Sequence, residues 1–85
     1  MGTKLVVTDV GVLESAVSKL VSAVVKVKPP YTGAENLYND LGLESVQALN
    51  LLLSLEEEFG VRLDDRRFVK CTTIASLVTL IQEAA

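Results

Sequence analysis

Apolar residues recur along this chain at helical rather than strand spacing. Leu13, Ala16, Val17, Leu20, Val21, Val24 and Val27 follow the i, i+3, i+4, i+7 pattern of a helix with one apolar face. Glu14, Ser15, Ser18, Lys19, Ser22 and Lys26 occupy its other side. Thr8 or Asp9 is suited to cap this helix. Pro29-Pro30 is expected to end it, because Lys28 and Pro29 each precede a proline and are biased out of the α region. The many valines lower its intrinsic propensity, so packing must hold it.

A second pattern predicts a helix from Ser45 to Phe59, with Gly60 as its C-terminal stop. On a helical projection Ala48, Leu51, Leu52, Leu55 and Phe59 share one side and are expected in the core, with Leu49 at the edge of that group. Gln47, Asn50, Ser54, Glu57 and Glu58 fall toward water. Val46 and Leu53 lie off the core arc, nearly in line and flanked by Asn50 and Glu57. Such a ridge reads as a docking strip, or as packing under the loop or a third helix.

A short turn or helix is expected within residues 65–70. A last helix is expected from about Thr72 or Thr73, turning Ile74, Leu77, Val78 and Ile81 inward. Between the first two helices, a loop over residues 28–44 is long enough to suggest a function. Leu37, Leu41 and Leu43 are its expected anchors. The expected fold is therefore all-α: a four-helix bundle with a short third helix and a long loop joining helices one and two, with residues 1–85 forming a single domain.

Composition narrows the function. At 85 residues the chain has room for a small core and little for a deep catalytic cleft. Hydrophobic residues make up 49%, with no Trp, two Phe and two Tyr, so the core must be aliphatic. The net charge is −3, and from Glu35 to Glu58 there are six acids and no Lys or Arg. That segment repels phosphate backbones, which argues against nucleic acid, and suits basic partner patches. Without His and with the single Cys71, neither an internal disulfide nor a usual zinc site can be assembled. Cys71 is expected to behave as a small apolar residue, and Tyr31 and Tyr38 to pack in the loop. No stretch is long enough to span a membrane. A cytoplasmic monomer is expected, free-standing on the strength of its N-terminal Met.

The candidate chemistry lies at Ser45. A serine in the first turn of a helix sits at the positive end of the macrodipole, among N–H groups without intrahelical acceptors. A phosphate ester there gains a favourable field. The competing reading is a plain cap, since Ser is a preferred N-cap residue. A capping box would call for Glu or Gln where Ala48 stands.

The stretch Asp40-Leu41-Gly42-Leu43-Glu44-Ser45-Val46, with the helix closing on Leu55-Glu56-Glu57-Glu58-Phe59-Gly60-Val61, resembles the acyl carrier protein family. Its pattern runs Asp-Leu-Gly, an apolar residue, Asp-Ser-Leu, then a helix ending on acids, Phe and Gly. The resemblance implies that Ser45 accepts 4′-phosphopantetheine from coenzyme A and that acyl intermediates ride on the arm as thioesters. It implies no catalysis by this chain itself. It implies contact of Glu44 with a phosphopantetheinyl transferase or its metal. Further implied partners are acyl ligases, ketosynthases or acyltransferase-type enzymes of fatty acid or polyketide-type synthesis.

Val46, Asn50, Leu53, Glu56 and Glu57 are the expected docking residues. Leu49, Leu52, Leu55, Phe59 and Ile74 are the expected lining of an acyl-chain slot. Three departures from the family pattern stand out: Glu44 replaces Asp, Val46 replaces Leu, and neutral Gln47 and Asn50 take places that are usually acidic. The last suggests a dedicated pathway rather than the housekeeping one. Aminoacyl and peptidyl carriers favour Gly-Gly before the acid and serine, and Leu43 argues against that variant. An unmodified helical interaction domain is the alternative from another class.

Overall fold

The computed structural model describes residues 10–84. It contains α1 (Val10–Ser22), α2 (Ser45–Phe59), α3 (Asp65–Phe68) and α4 (Ile74–Ala84), with no strand among the described residues. Helix α1 packs on α2 and α4, and α3 packs on α4. The expected all-α bundle with a short third helix and a long first connection is what forms. The proposed caps Thr8 and Asp9 lie outside the described residues.

The core is aliphatic. Leu13, Val17, Leu51, Leu55, Leu77 and Ile81 are fully buried, and no polar or charged residue is buried among the described residues. Burying a side chain of this size contributes roughly 1.5–3 kcal/mol. Leu80 joins the core although the pattern had not marked it. Helix α4 is covered on two flanks, by α1 and by α3, and Leu80 lies on the α3 side near Arg67.

Helix α1 ends at Ser22, well before the prolines. The reason lies in the backbone bonds. The N–H groups of Lys26 and Val27 donate to the Leu41 carbonyl, at 3.0 and 3.3 Å, instead of continuing the helical ladder. The valine-rich stretch has little helical propensity to resist this. The change of phase also changes which valines are inside. Val25 is buried, and Val27, expected inward, is exposed.

The loop that follows is dense with bonds. Asn36 Oδ1 accepts the N–H groups of Tyr38 and Asn39, while Asp40 Oδ2 accepts that of Asn36 at 2.7 Å. Leu37 and Leu43 pair through the Leu43 N–H and the Leu37 carbonyl, 2.8 Å. Two bonds tie the loop to the start of α4: Leu37 N–H to Thr72 O at 2.6 Å, and Ala75 N–H to Gly33 O at 3.1 Å. The expected anchors Leu37, Leu41 and Leu43 are all buried. Glu35 closes the preceding turn, its carboxylate accepting from Thr32 and Gly33 at 2.9–3.0 Å. These bonds, those from Thr32 first, hold its pKa below the ordinary value of 4.5.

Three other helix ends are capped locally. Gly60 takes the left-handed φ of 65° that ends α2, and its N–H returns to Glu56 O. Asp64 caps α3 by accepting from Arg66 N–H at 2.8 Å and Arg67 N–H at 3.3 Å. Thr73 and Ser76 bond reciprocally at the head of α4, Ser76 N–H to Thr73 Oγ1 and Thr73 N–H to Ser76 Oγ, both 3.1 Å. An ion pair between Arg67 and Glu83 joins α3 to α4.

Candidate functional site

Ser45 is the first residue of α2. The cap position itself belongs to Glu44, whose backbone is extended (φ −101°, ψ 156°) and whose side chain makes no cap bond. The reading of Ser45 as a plain cap is thereby corrected: it stands one residue inside, exposed, and its hydroxyl has no partner among the described residues. The first ladder bond runs from Ala48 N–H to Glu44 O at 2.8 Å. The N–H groups ahead of it are left at the positive end of the helix. An outward hydroxyl in that field fits a phosphate ester.

The loop aims this serine. Leu41 and Leu43 are buried on either side of Gly42, which takes φ 81°. That geometry turns the chain outward for Glu44 and Ser45 before α2 begins. Asp40, the first residue of the motif, serves the loop by accepting the Asn36 N–H. The Glu44 carboxylate meets Lys26 Nζ at 3.2 Å, a pair that the helical patterns did not reveal. Nothing in periodicity links two residues so far apart in sequence; the link appears only when the loop folds back on the end of α1.

The expected docking residues form one face of α2. Val46 is 75% exposed and Leu53 51%. Asn50 is exposed and donates to Gln47 Oε1 at 3.2 Å. Glu57 is also exposed. Glu56 stands apart from the others. It is half-buried, and its Oε2 accepts the Leu63 N–H at 2.9 Å, so it is spent in part on holding the chain that leads to α3.

The expected acyl-slot residues divide. Leu52, Leu55, Phe59 and Ile74 lie in the core. Leu49, expected at the edge of the inward group, is 59% exposed and joins Val46 and Leu53 outside. The physical reason is that α2 packs mainly on α1, while α3 packs on α4 and leaves a groove, rather than a closed contact, beside Leu49. Leu49, Leu53 and Leu63 instead line a surface groove of about 560 Å³ beside α3, with Arg62 and Arg66 at its edge. Leu52 borders both groove and core.

Elsewhere, Tyr31 and Tyr38 pack against the core, and burial raises both phenol pKa values. The Tyr31 hydroxyl donates to Val27 O at 2.7 Å. Cys71 is half-buried, with its thiol donating to Arg67 O at 3.3 Å. Among the described residues no group of His, Cys, Asp and Glu is arranged to hold a metal ion, and no helix is long and apolar enough to cross a membrane.

Comparison with known proteins meets this geometry at the same helix. The family model described as "Phosphopantetheine attachment site" matches residues 15–81. A Schizosaccharomyces pombe protein named as a mitochondrial acyl carrier protein is 30% identical over 70 residues, covering 80% of this chain and 62% of its own. An acyl carrier protein of Thermotoga maritima is 35% identical over 52 residues, covering 61% of this chain and 64% of its own. The chain thus spans somewhat under two thirds of the length of these curated relatives.

Proposed function

The chain belongs to the phosphopantetheine attachment family of acyl carrier proteins, and from that premise we propose that Ser45 is the attachment residue and that the protein carries acyl groups between partner enzymes. The observation that carries this reading is the free, outward hydroxyl of Ser45 as the first residue of α2. The family's prosthetic group is 4′-phosphopantetheine. When bound, the group supplies a terminal thiol that holds its cargo as a thioester.

The rest of the work is done by this chain's own residues. The Ser45 oxygen gains a bond to phosphorus as the pyrophosphate link of coenzyme A breaks; adenosine 3′,5′-bisphosphate departs, and the hydroxyl proton passes to the transferase. The N-terminal amides of α2 then face the phosphate charge and stabilise it. Val46 and Leu53, with exposed Leu49 between them, form the apolar strip that partner enzymes meet, and Asn50 and Glu57 give its polar edges. Glu56 contributes less to docking than its neighbours because Leu63 engages it. Leu52, Leu55, Phe59 and Ile74 are the residues that part to shelter a hydrocarbon chain, with Leu52 as the wall between groove and core. The chain itself performs no catalysis.

The partners are a phosphopantetheinyl transferase and enzymes of the acyl ligase, ketosynthase or acyltransferase type. Neutral Gln47 and Asn50, bonded to each other beside Ser45, favour a specialised fatty acid or polyketide-type pathway over the housekeeping one. We place the protein in the cytoplasm. The mitochondrial name of the Schizosaccharomyces pombe relative makes the organelle the second reading.

Intact-mass spectrometry after incubation with coenzyme A, magnesium and a broad-specificity phosphopantetheinyl transferase tests the assignment. The wild-type chain gains one phosphopantetheinyl group and Ser45→Ala gains none. No gain with several transferases, or a gain that persists in Ser45→Ala, overturns it.

A further inference from the structure

Lys26 meets the three residues Leu41, Gly42 and Glu44, next to the attachment serine, by contacts along its length. Its backbone N–H donates to Leu41 O at 3.0 Å, which fixes its Cα beside the Asp-Leu-Gly turn. Its stem crosses Gly42, where a Cβ would sit 3.3 Å from both Cβ and Cδ of the lysine. Its ammonium then stands 3.2 Å from Glu44 Oε2. Glu44 occupies the cap position of α2, yet its carboxylate bonds none of the N–H groups there.

Those two observations about Glu44 belong together. A carboxylate at a helix start is drawn toward the positive end of the macrodipole and the unpaired N–H groups. In that position it would cover the amides that suit a phosphate and repel the phosphate itself. Lys26 offers the carboxylate a different partner, and the carboxylate makes no bond to the start of α2. We propose that Lys26 is a positioning residue for Ser45: it holds the Glu44 carboxylate off the start of α2 and so keeps the hydroxyl and the helix amides open to the incoming phosphopantetheine. The absence of a side chain at Gly42 gives the lysine stem its path. This inference rests on Ser45 as the attachment residue, and extends it to a residue outside the motif.

The pair is exposed, with side-chain exposures of 73% and 63%. Its effect is therefore modest, and it falls on recognition rather than on the chemical step. Lys26→Met keeps the stem and removes the charge. In steady-state transfer from coenzyme A, this variant raises the KM for the carrier on the order of two- to fivefold, the range an exposed ion pair supports, with kcat unchanged. Lys26→Arg restores the wild-type KM. In a Glu44→Gln background, Lys26→Met adds no further loss, because the carboxylate through which it acts is gone.

A second readout does not need the transferase. In amide NMR spectra of the unmodified protein, Lys26→Met shifts Ser45, Val46 and Gln47 and leaves α4 in place. An unchanged KM, a fall in kcat alone, or losses that multiply in the double variant would overturn the role. If the wild-type chain takes no group from any transferase, the assignment of Ser45 fails. The amide spectra then still decide whether Lys26 governs the start of α2: shifts at residues 45–47 uphold the positioning contact, and unshifted amides sink it.

Discussion

Helix α2 and the loop of residues 23–44 that leads to it are held by different means. Helix α2 turns Ala48, Leu51, Leu55 and Phe59 into the core and is stopped by one glycine. The loop buries Val25, Leu37, Leu41 and Leu43, and is otherwise held by bonds at particular atoms: Leu41 O, Asn36 Oδ1, Asp40 Oδ2, the Glu35 carboxylate and the Thr72 carbonyl. A packed helix tolerates change on its outer face. A bonded loop is sensitive wherever a donor, an acceptor or a special φ is removed. In this protein the tolerant element carries the exposed apolar strip proposed for docking, and the sensitive one aims the serine.

The sharpest way to break the comparison is inside α2 itself. Leu55→Ala empties a fully buried site and costs about 2–5 kcal/mol of stability in denaturant unfolding. Leu53→Ala, on the same helix but half-exposed, stays within about 0.5 kcal/mol. A large loss at Leu53 would mean that the outer face is packed after all. In the loop, Gly42→Ala meets a φ of 81° and the Lys26 stem at 3.3 Å; it costs about 1–2 kcal/mol in the same measurement. A neutral outcome there would remove the argument that the turn depends on glycine.

The smallest effect separates the two regions by pH. The Glu35 pKa is lowered in the folded loop, through its bonds from Thr32 and Gly33. A depressed carboxylate stabilises above its unfolded value, and that contribution is lost as pH falls through the folded one. Amide exchange at Thr32 and Gly33, after correction for intrinsic rates, therefore quickens on acidification below about pH 4.5 while α2 stays protected. Equal loosening of both regions would refute the distinction.

The same contrast explains what could be read in advance. Both ends of α2 are legible, because the apolar spacing, the motif before Ser45 and Gly60 all agree. The buried loop leucines and the core of α4 were also within reach, since an isolated Leu between polar neighbours and a run of helical spacing each have one natural place. The end of α1 was not. Val24 and Val27 continue the helical spacing, but past Ser22 the backbone turns first to i→i−3 bonds at Ala23 and Val24 and then to the Leu41 carbonyl, far along the chain. The helical angle of Leu49 alone puts it at the edge of the core, and whether an edge position is covered depends on where α3 settles. The Lys26–Glu44 pair and the Glu35 turn rest on folded geometry that no period encodes. Around Ser45, its place at the start of α2 is readable from the sequence and the Lys26–Glu44 pair beside it is not.

The two bonds from the loop to the head of α4 bear on timing. Leu37 waits for the Thr72 carbonyl, and Gly33 offers its own carbonyl to Ala75. A ribosome makes the loop and all of α2 before it makes either partner. During synthesis, then, Ser45 is present long before the ties that steady its approach, and it is presented as in the finished fold only after residues as far as Ala75 have left the exit tunnel. A transferase that recognises the folded loop would in this way act only once Thr72 and Ala75 have emerged and closed those ties.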